Sequence, residues 1–204
     1  MKYACFISYR HFKESFGSNF VQEFVSVLNE FLELYMNEKA FLDEERLKTG
    51  EFFNQRLAEA ICNSACMIII YTPKHFSKQK PYCTCEYMAM KRLEKKRILK
   101  LKDKGKGLII TVVLRGIDQL PKEIVNNRHV IDFSALIEPK IKGNLRRRIE
   151  EIARYIFDVS MELRQADIDW NTCSNYIIPS EEEEEEVAKW LDEIDVFSPK
   201  LPLR

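Results

Sequence analysis

Residues Ala65 to Tyr71 (ACMIIIY) form an unbroken apolar run that stops at Thr72-Pro73. A strand with one wet face alternates polar and apolar residues. A run without alternation therefore predicts a strand buried on both faces, at the centre of a parallel sheet. The segments around it supply the rest of such a sheet. Tyr3 to Tyr9 (YACFISY) reads as a short buried strand that breaks at Arg10-His11 and Gly17. From Asn19 the period lengthens. Phe20, Phe24, Val27, Leu28, Phe31 and Tyr35 recur at three and four residues and predict a helix of about four to five turns whose aromatics are core. Ala40 to Leu42 is a second short strand, ended by Asp43 to Arg46 and by Gly50, and Phe52, Phe53, Leu57 and Ile61 read as another amphipathic helix.

Beyond the central run, a polar loop from Lys74 to Pro81 leads into a helix near Thr84 to Glu94. The turn Lys104 to Gly107 precedes a fourth strand, Leu108 to Leu114, and Pro121 opens a short link to a fifth, His129 to Phe133. A final helix runs through Leu145, Ile149, Ile152, Ile156 and Phe157. Strand and helix alternate with connections too long for hairpins, which predicts an α/β fold, a five-stranded parallel sheet with helices on both faces. In such sheets ligands collect at the carboxyl ends of the strands, where the order reverses between the first and third, so the segments after Tyr9, Leu42 and Tyr71 carry the candidate site.

Composition narrows the function. Among 204 residues, Lys+Arg 32 balance Asp+Glu 32. A neutral chain lacks the general basic field of a non-specific nucleic-acid binder, and no nucleic-acid partner is expected. The balance is a cancellation between distant segments, with Lys91 to Lys106 strongly basic and Glu181 to Glu186 wholly acidic. Each is read as a solvated charge run, with docking of the acidic run on the basic helix as the alternative. The longest apolar runs fall far short of the roughly 20 residues that cross a bilayer, so no membrane span is expected. The amino terminus turns polar after Ser8, too early for a secretory signal.

Six cysteines are present, at Cys5, Cys62, Cys66, Cys83, Cys85 and Cys173. With no export signal, they are expected to be reduced thiols of a cytoplasmic protein. His75 lies between Cys62/Cys66 and Cys83/Cys85 as in a zinc site, but neither pair has the C-x2-C spacing, and no metal is expected. Cys62 and Cys66 are instead expected to face the core. Beyond Arg164 periodicity weakens, although Val187, Trp190, Leu191 and Ile194 share one helical face. The chain is accordingly divided into a domain over 1–158 and an extension over 159–204 that carries the acidic run and a short helix.

No glycine-rich loop follows the first strand, which argues against a Rossmann dinucleotide site and a P-loop. Polar side chains must therefore do any binding. The first strand is followed by Ser8, Tyr9, Arg10 and His11; the second by Asp43, Glu44, Glu45, Arg46, Lys48 and Gly50; the third by Thr72, His75, Tyr82 and Glu86. An acid at the start of a helix, as Glu86 is expected to be, ordinarily complements the helix dipole.

Phe6-Ile7-Ser8-Tyr9, then Phe41-Leu42-Asp43 followed by Leu47 and Gly50, then Pro81-Tyr82-Cys83-Thr84-Cys85-Glu86, resemble the three signature boxes of the TIR domain. The resemblance covers about residues 1 to 158, with the boxes in order and at family spacing. It implies a flavodoxin-like fold and makes Glu44 to Gly50 the counterpart of the BB loop, through which many members self-associate. Some TIR domains are adaptors. Others cleave the nicotinamide-ribose bond of NAD+, which is substrate and not cofactor, and release ADP-ribose or a cyclised isomer.

Enzymatic members carry a glutamate at the position of Glu86, with an aromatic residue, usually Trp, four places earlier, where this chain has Tyr82. The resemblance also sets Ser8, Tyr9, Arg10, Asp43, Arg46 and Gly50 around the ligand; Arg46 stands where some active members have Lys. The chemistry suits these residues. Nicotinamide leaves neutral and needs no general acid, so one carboxylate to stabilise the oxocarbenium-like ribose suffices, and His11 is read as a loop residue. Arg10 could meet a phosphate, or pair with Glu14 on the surface. Tyr9 or Tyr82 could stack on a base, and Cys83 is read as a buried spectator.

A chain of this size with one such domain resembles bacterial immune proteins of the Thoeris kind, whose nucleotide product activates a separate effector in antiphage defence. The implied partners are NAD+, further TIR domains and that effector. A non-catalytic TIR adaptor acting through the BB-like loop is the alternative reading. A deoxyribosyltransferase-like activity on nucleosides, which also uses a glutamate on an α/β scaffold, is a minor one.

Overall fold

The computed structural model describes residues 1–10, 15–43, 55–78, 81–134, 142–176 and 181–197, with backbone alone for 15–16, 142–143, 181–184 and 195–197. The apolar run forms the middle of the molecule. β3 (Ser64–Tyr71) is buried at all eight positions and lies between β1 (Tyr3–Tyr9) and β4 (Ile109–Val113). β2 (Ala40–Leu42) flanks β1, and β5 (His129–Asp132) closes the far edge, giving the order β2-β1-β3-β4-β5 with every pair parallel. This is the expected flavodoxin-like sheet. The chain steps from β1 outward to β2, then reverses across β1 to β3, so the carboxyl ends of β1 and β3 diverge at a topological switch point. The register pairs Ser8 with Ile69 and Tyr9 with Ile70 there.

Because crossovers between parallel strands are as a rule right-handed, that reversal sends the connecting helices to opposite faces of the sheet. α1 (Ser15–Leu32) packs with α5 (Lys142–Gln165), and α2 (Gln55–Cys62) packs with α3 (Tyr82–Ile98). α1 buries Phe20, Phe24, Val27 and Leu28, and the first two meet Phe133, just past β5, at ring separations of 6.5 and 6.0 Å. It starts earlier than the period indicated and ends at Leu32. Tyr35 lies beyond it and stacks on Phe157 of α5 at 5.6 Å, which extends the apolar stripe without extending the helix. α4 (Lys122–Asn127) is the short link after Pro121.

The carboxy-terminal extension lies against the sheet-bearing part of the chain. A 3-10 turn (Trp170–Asn175) packs on α2, and α6 (Glu181–Phe197) packs on α3 with Val187, Trp190 and Leu191 buried and Ile194 half-buried. Of the acidic run, the described side chains, Glu185 and Glu186, are exposed, and an ion pair near this junction joins Lys78 to Asp192 at 2.7 Å. Apolar burial, at about 25 cal/mol per Å², outweighs exposed pairs that contribute under about 1 kcal/mol each.

The basic stretch, by contrast, is only partly solvated. Lys91 pairs with Glu123 at 2.7 Å and Lys106 with Glu162 at 2.6 Å. Arg97 is buried, where it donates to the carbonyls of Cys62 and Ser64 at 2.5 and 2.8 Å under the ring of Trp170. Burial lowers its pKa to about 10.

One expectation is overturned. Cys62 and Cys173 are joined in a disulfide, with Cα atoms 5.4 Å apart across a sequence separation of 111. Cys5, Cys66, Cys83 and Cys85 are free and buried. Cys62 does face the interior as expected, but the path of the extension delivers Cys173 to the end of α2, a proximity that spacing along the chain does not contain.

Candidate active site

α3 begins at Tyr82, immediately after Pro81, and every residue from Cys83 to Met90 is buried. Glu86 lies within that stretch at 1% exposure. A carboxylate so placed needs donors, because burial without them costs several kcal/mol. Ser8, near the end of β1 and fully buried, donates its hydroxyl to Oε2 of Glu86 at 2.6 Å. A second bond links the same two elements: the Cys83 thiol donates to the Tyr9 carbonyl at 3.6 Å. β1 and α3 are thus tied together at the switch point, and Cys83 is a buried structural thiol there.

Glu86 does not act as a dipole-complementing first-turn acid. The helix starts two residues earlier than Thr84, so Glu86 falls in its second turn and no acid occupies the first. The dipole's effect has largely faded by that depth, and a partner of Glu86 is a side chain on a strand.

Arg10, just past β1, donates its guanidinium to the carbonyl of Lys74, just past β3, and so bridges the two diverging loops. Tyr9 and Tyr82 are half-buried at the carboxyl end of β1 and the start of α3. Asp43 is 8% exposed at the end of β2. Ser8 has no exposed surface and donates to Glu86, so it is a buried partner of the carboxylate. His11, Glu14, Arg46, Gly50 and the whole BB-like segment Glu44 to Gly50 lie outside the described residues. His75 is buried beside the rings of Tyr71 and Phe76, at 6.2 and 4.7 Å.

Sequence reasoning missed a polar and aromatic cluster on the outer side of α3. Tyr87 donates its hydroxyl to Oε1 of Glu123 at 3.0 Å, and the Trp190 indole N–H donates to Oε2 at 2.5 Å. Burial raises the pKa of Glu123, but hydrogen bonds from Lys91, Trp190 and Tyr87 outweigh it and hold the carboxyl below its ordinary value. Burial pushes the Tyr87 hydroxyl well up. Helical periodicity reported Trp190 only as an apolar position; no local signal pairs it with an acid 67 residues away. Among the described residues no group of three or more His, Cys, Asp and Glu side chains is placed to hold a metal ion, and no helix is long and apolar enough to cross a membrane.

A parallel sheet in the order 2-1-3-4-5, with a buried hydrogen-bonded carboxylate at its switch point, defines a doubly wound α/β protein of the flavodoxin-like class. The TIR domain family model matches residues 5–147, well over half of the chain, and the chain belongs to that family. The match runs from within β1 to the start of α5 and hence includes both Ser8 and Glu86. Among solved structures, the TIR domains of the activated Roq1 resistosome directly recognizing the pathogen effector XopQ align at 18% identity and a TM-score of 0.39, covering 95% of this chain and 98% of that one. No curated protein matches.

Proposed function

We propose that this chain cleaves the nicotinamide-ribose bond of NAD+, with Glu86 as the catalytic carboxylate. The observation that carries the reading is the buried Ser8–Glu86 hydrogen bond at the switch point of a TIR-family sheet. Held by Ser8, the carboxylate is the group that anchors the ribose hydroxyls and offsets positive charge that grows as the glycosidic bond breaks. The bonding pair leaves with nicotinamide, which departs neutral. Attack of water at the ribosyl carbon, with loss of one proton, yields ADP-ribose; attack by a nucleophile within the same molecule yields a cyclic isomer. Exclusion of water decides between them.

Arg10 contributes charge-assisted hydrogen bonds to the diphosphate, and Tyr9 and Tyr82 offer faces for the nicotinamide or adenine ring. Asp43, Arg46 and Gly50 complete the ligand shell proposed by family resemblance. TIR–TIR association through the BB-like segment assembles the working site, and the product serves as a cytoplasmic signal to a separate effector in antiphage defence of the Thoeris kind.

The test is incubation of the full chain with NAD+ and mass identification of every product, alongside Glu86→Gln. Nicotinamide release that disappears in a folded Glu86→Gln chain is expected. Undiminished release in that variant overturns the assignment of Glu86. The 1% exposure of Glu86 supports a second reading, a non-catalytic TIR adaptor in which the carboxylate only pins α3 to β1. Absence of nicotinamide under every condition, including those that promote oligomers, together with specific TIR binding, selects it.

A further inference from the structure

One indole joins the carboxy-terminal helix to the segment after β3 and to α3, the helix that bears Glu86. The Trp190 ring meets Phe76 edge-on at 4.9 Å and Tyr87 at 5.2 Å, and those two rings meet each other at 5.8 Å. Tyr87 directly follows Glu86 on α3. Phe76 lies two residues past Lys74, whose carbonyl accepts the Arg10 guanidinium. The indole N–H also binds Glu123, the carboxylate that accepts from Tyr87 and pairs with Lys91 one turn further along α3. Trp190 is 7% exposed, so the junction is closed.

A tail that merely covered an apolar patch would need only apolar contacts. Here the covering ring shares a carboxylate with the helix that bears Glu86, so the seat of α6 and the roll of α3 are linked. Successive residues on a helix are separated by about 100°, so a roll of α3 that follows Tyr87 also moves Glu86. With side-chain tips about 5–6 Å from the axis, a roll of about 10° displaces the carboxylate by about 1 Å. A misplacement of that size at reacting groups costs on the order of a hundredfold in rate.

We propose that Trp190 is a positioning residue for Glu86: docked α6 sets the roll of α3 through Tyr87 and Glu123, and steadies the segment after β3 through Phe76. Its kinetic readout rests on the NAD-cleaving function proposed above. The experiment compares the full chain with Trp190→Ala and Trp190→Phe, measuring kcat and KM for nicotinamide release below each melting transition and deuterium uptake by mass spectrometry.

Trp190→Ala is expected to lower kcat by about tenfold or more, with a smaller change in KM. Trp190→Phe keeps a ring but loses the N–H, and is expected to lower kcat by about threefold. Uptake should rise over residues 74–78 and 82–90 while β4 stays unchanged. Wild-type kcat and uptake in folded Trp190→Ala overturn the proposal, as does a uniform rise that includes β4. Should Trp190→Ala fail to fold, wild-type kcat and uptake in Trp190→Phe overturn it. If the parent chain releases no nicotinamide, the NAD-cleaving function fails on its own, and the uptake comparison alone decides whether α6 positions α3.

Discussion

The Ser8 hydroxyl and Oε2 of Glu86 are 2.6 Å apart, although 78 residues separate them in the chain. The bond crosses the switch point from β1 to α3 and is shielded from water at both ends. Shielding strengthens it, because neither group has solvent as an alternative partner. It also makes Ser8 one residue that sets which way the carboxylate points.

Ser8→Ala is expected to cost about 1–3 kcal/mol of stability by removing a donor from a buried carboxylate. It should also lower NAD+ turnover, but less than Glu86→Gln, for which a loss of about a hundredfold or more is expected. Denaturant titration and quantified nicotinamide release test the two halves. Wild-type turnover in Ser8→Ala would show that the bond does not orient the reacting carboxylate.

The disulfide between Cys62 and Cys173 closes a long loop and holds the extension on α2. A cross-link of this kind typically contributes about 2–4 kcal/mol, largely by restricting the unfolded chain. A Cys62→Ser, Cys173→Ser double variant should therefore melt several degrees lower than the oxidised parent. Reductant should lower the parent's melting temperature and leave the variant's unchanged.

Hydrogen bonds and Lys91 hold the Glu123 carboxyl below its ordinary pKa despite burial. A depressed carboxyl stabilises the fold at pH above its unfolded-state pKa, and the contribution is lost as pH falls through the folded-state value. Melting temperature should thus drop below the ordinary carboxylate range, and Glu123→Gln should flatten part of that drop. Only part is expected, because Lys106 and two backbone amides lower Glu162 in the same direction. An identical acid profile in parent and Glu123→Gln would exclude the contribution.

Gly116 adopts φ 74° just before the 3-10 turn at Ile117–Gln119, and a Cβ there would overlap the ring of Pro73, which follows β3. Gly116→Ala combines a left-handed backbone penalty of about 1–2 kcal/mol with that overlap. A lower midpoint of denaturation by at least that amount is expected, and an unchanged midpoint would mean that the segment after β3 yields without cost.

The apolar run of β3, the three-and-four spacing of Phe20, Phe24 and Leu28, and the alternation of elements were legible because each is a local pattern that burial imposes on the chain. They led to the parallel sheet and, with the three boxes, to the TIR family and to Glu86. Helix limits were less legible. Tyr35 continues the apolar stripe from a turn, since a ring can reach Phe157 without helical backbone beneath it.

By itself, then, the sequence determined the layers, the family and which carboxylate lies at the switch point, since periodicity and motif order are properties of neighbouring residues. Only the tertiary structure decided that Ser8 bonds Glu86, that Cys173 finds Cys62, and that Trp190 shares Glu123 with Tyr87. Those contacts join residues 78, 111 and 67 positions apart in separate elements. The packing of whole helices on the sheet selects such pairs, and no spacing along the chain encodes them.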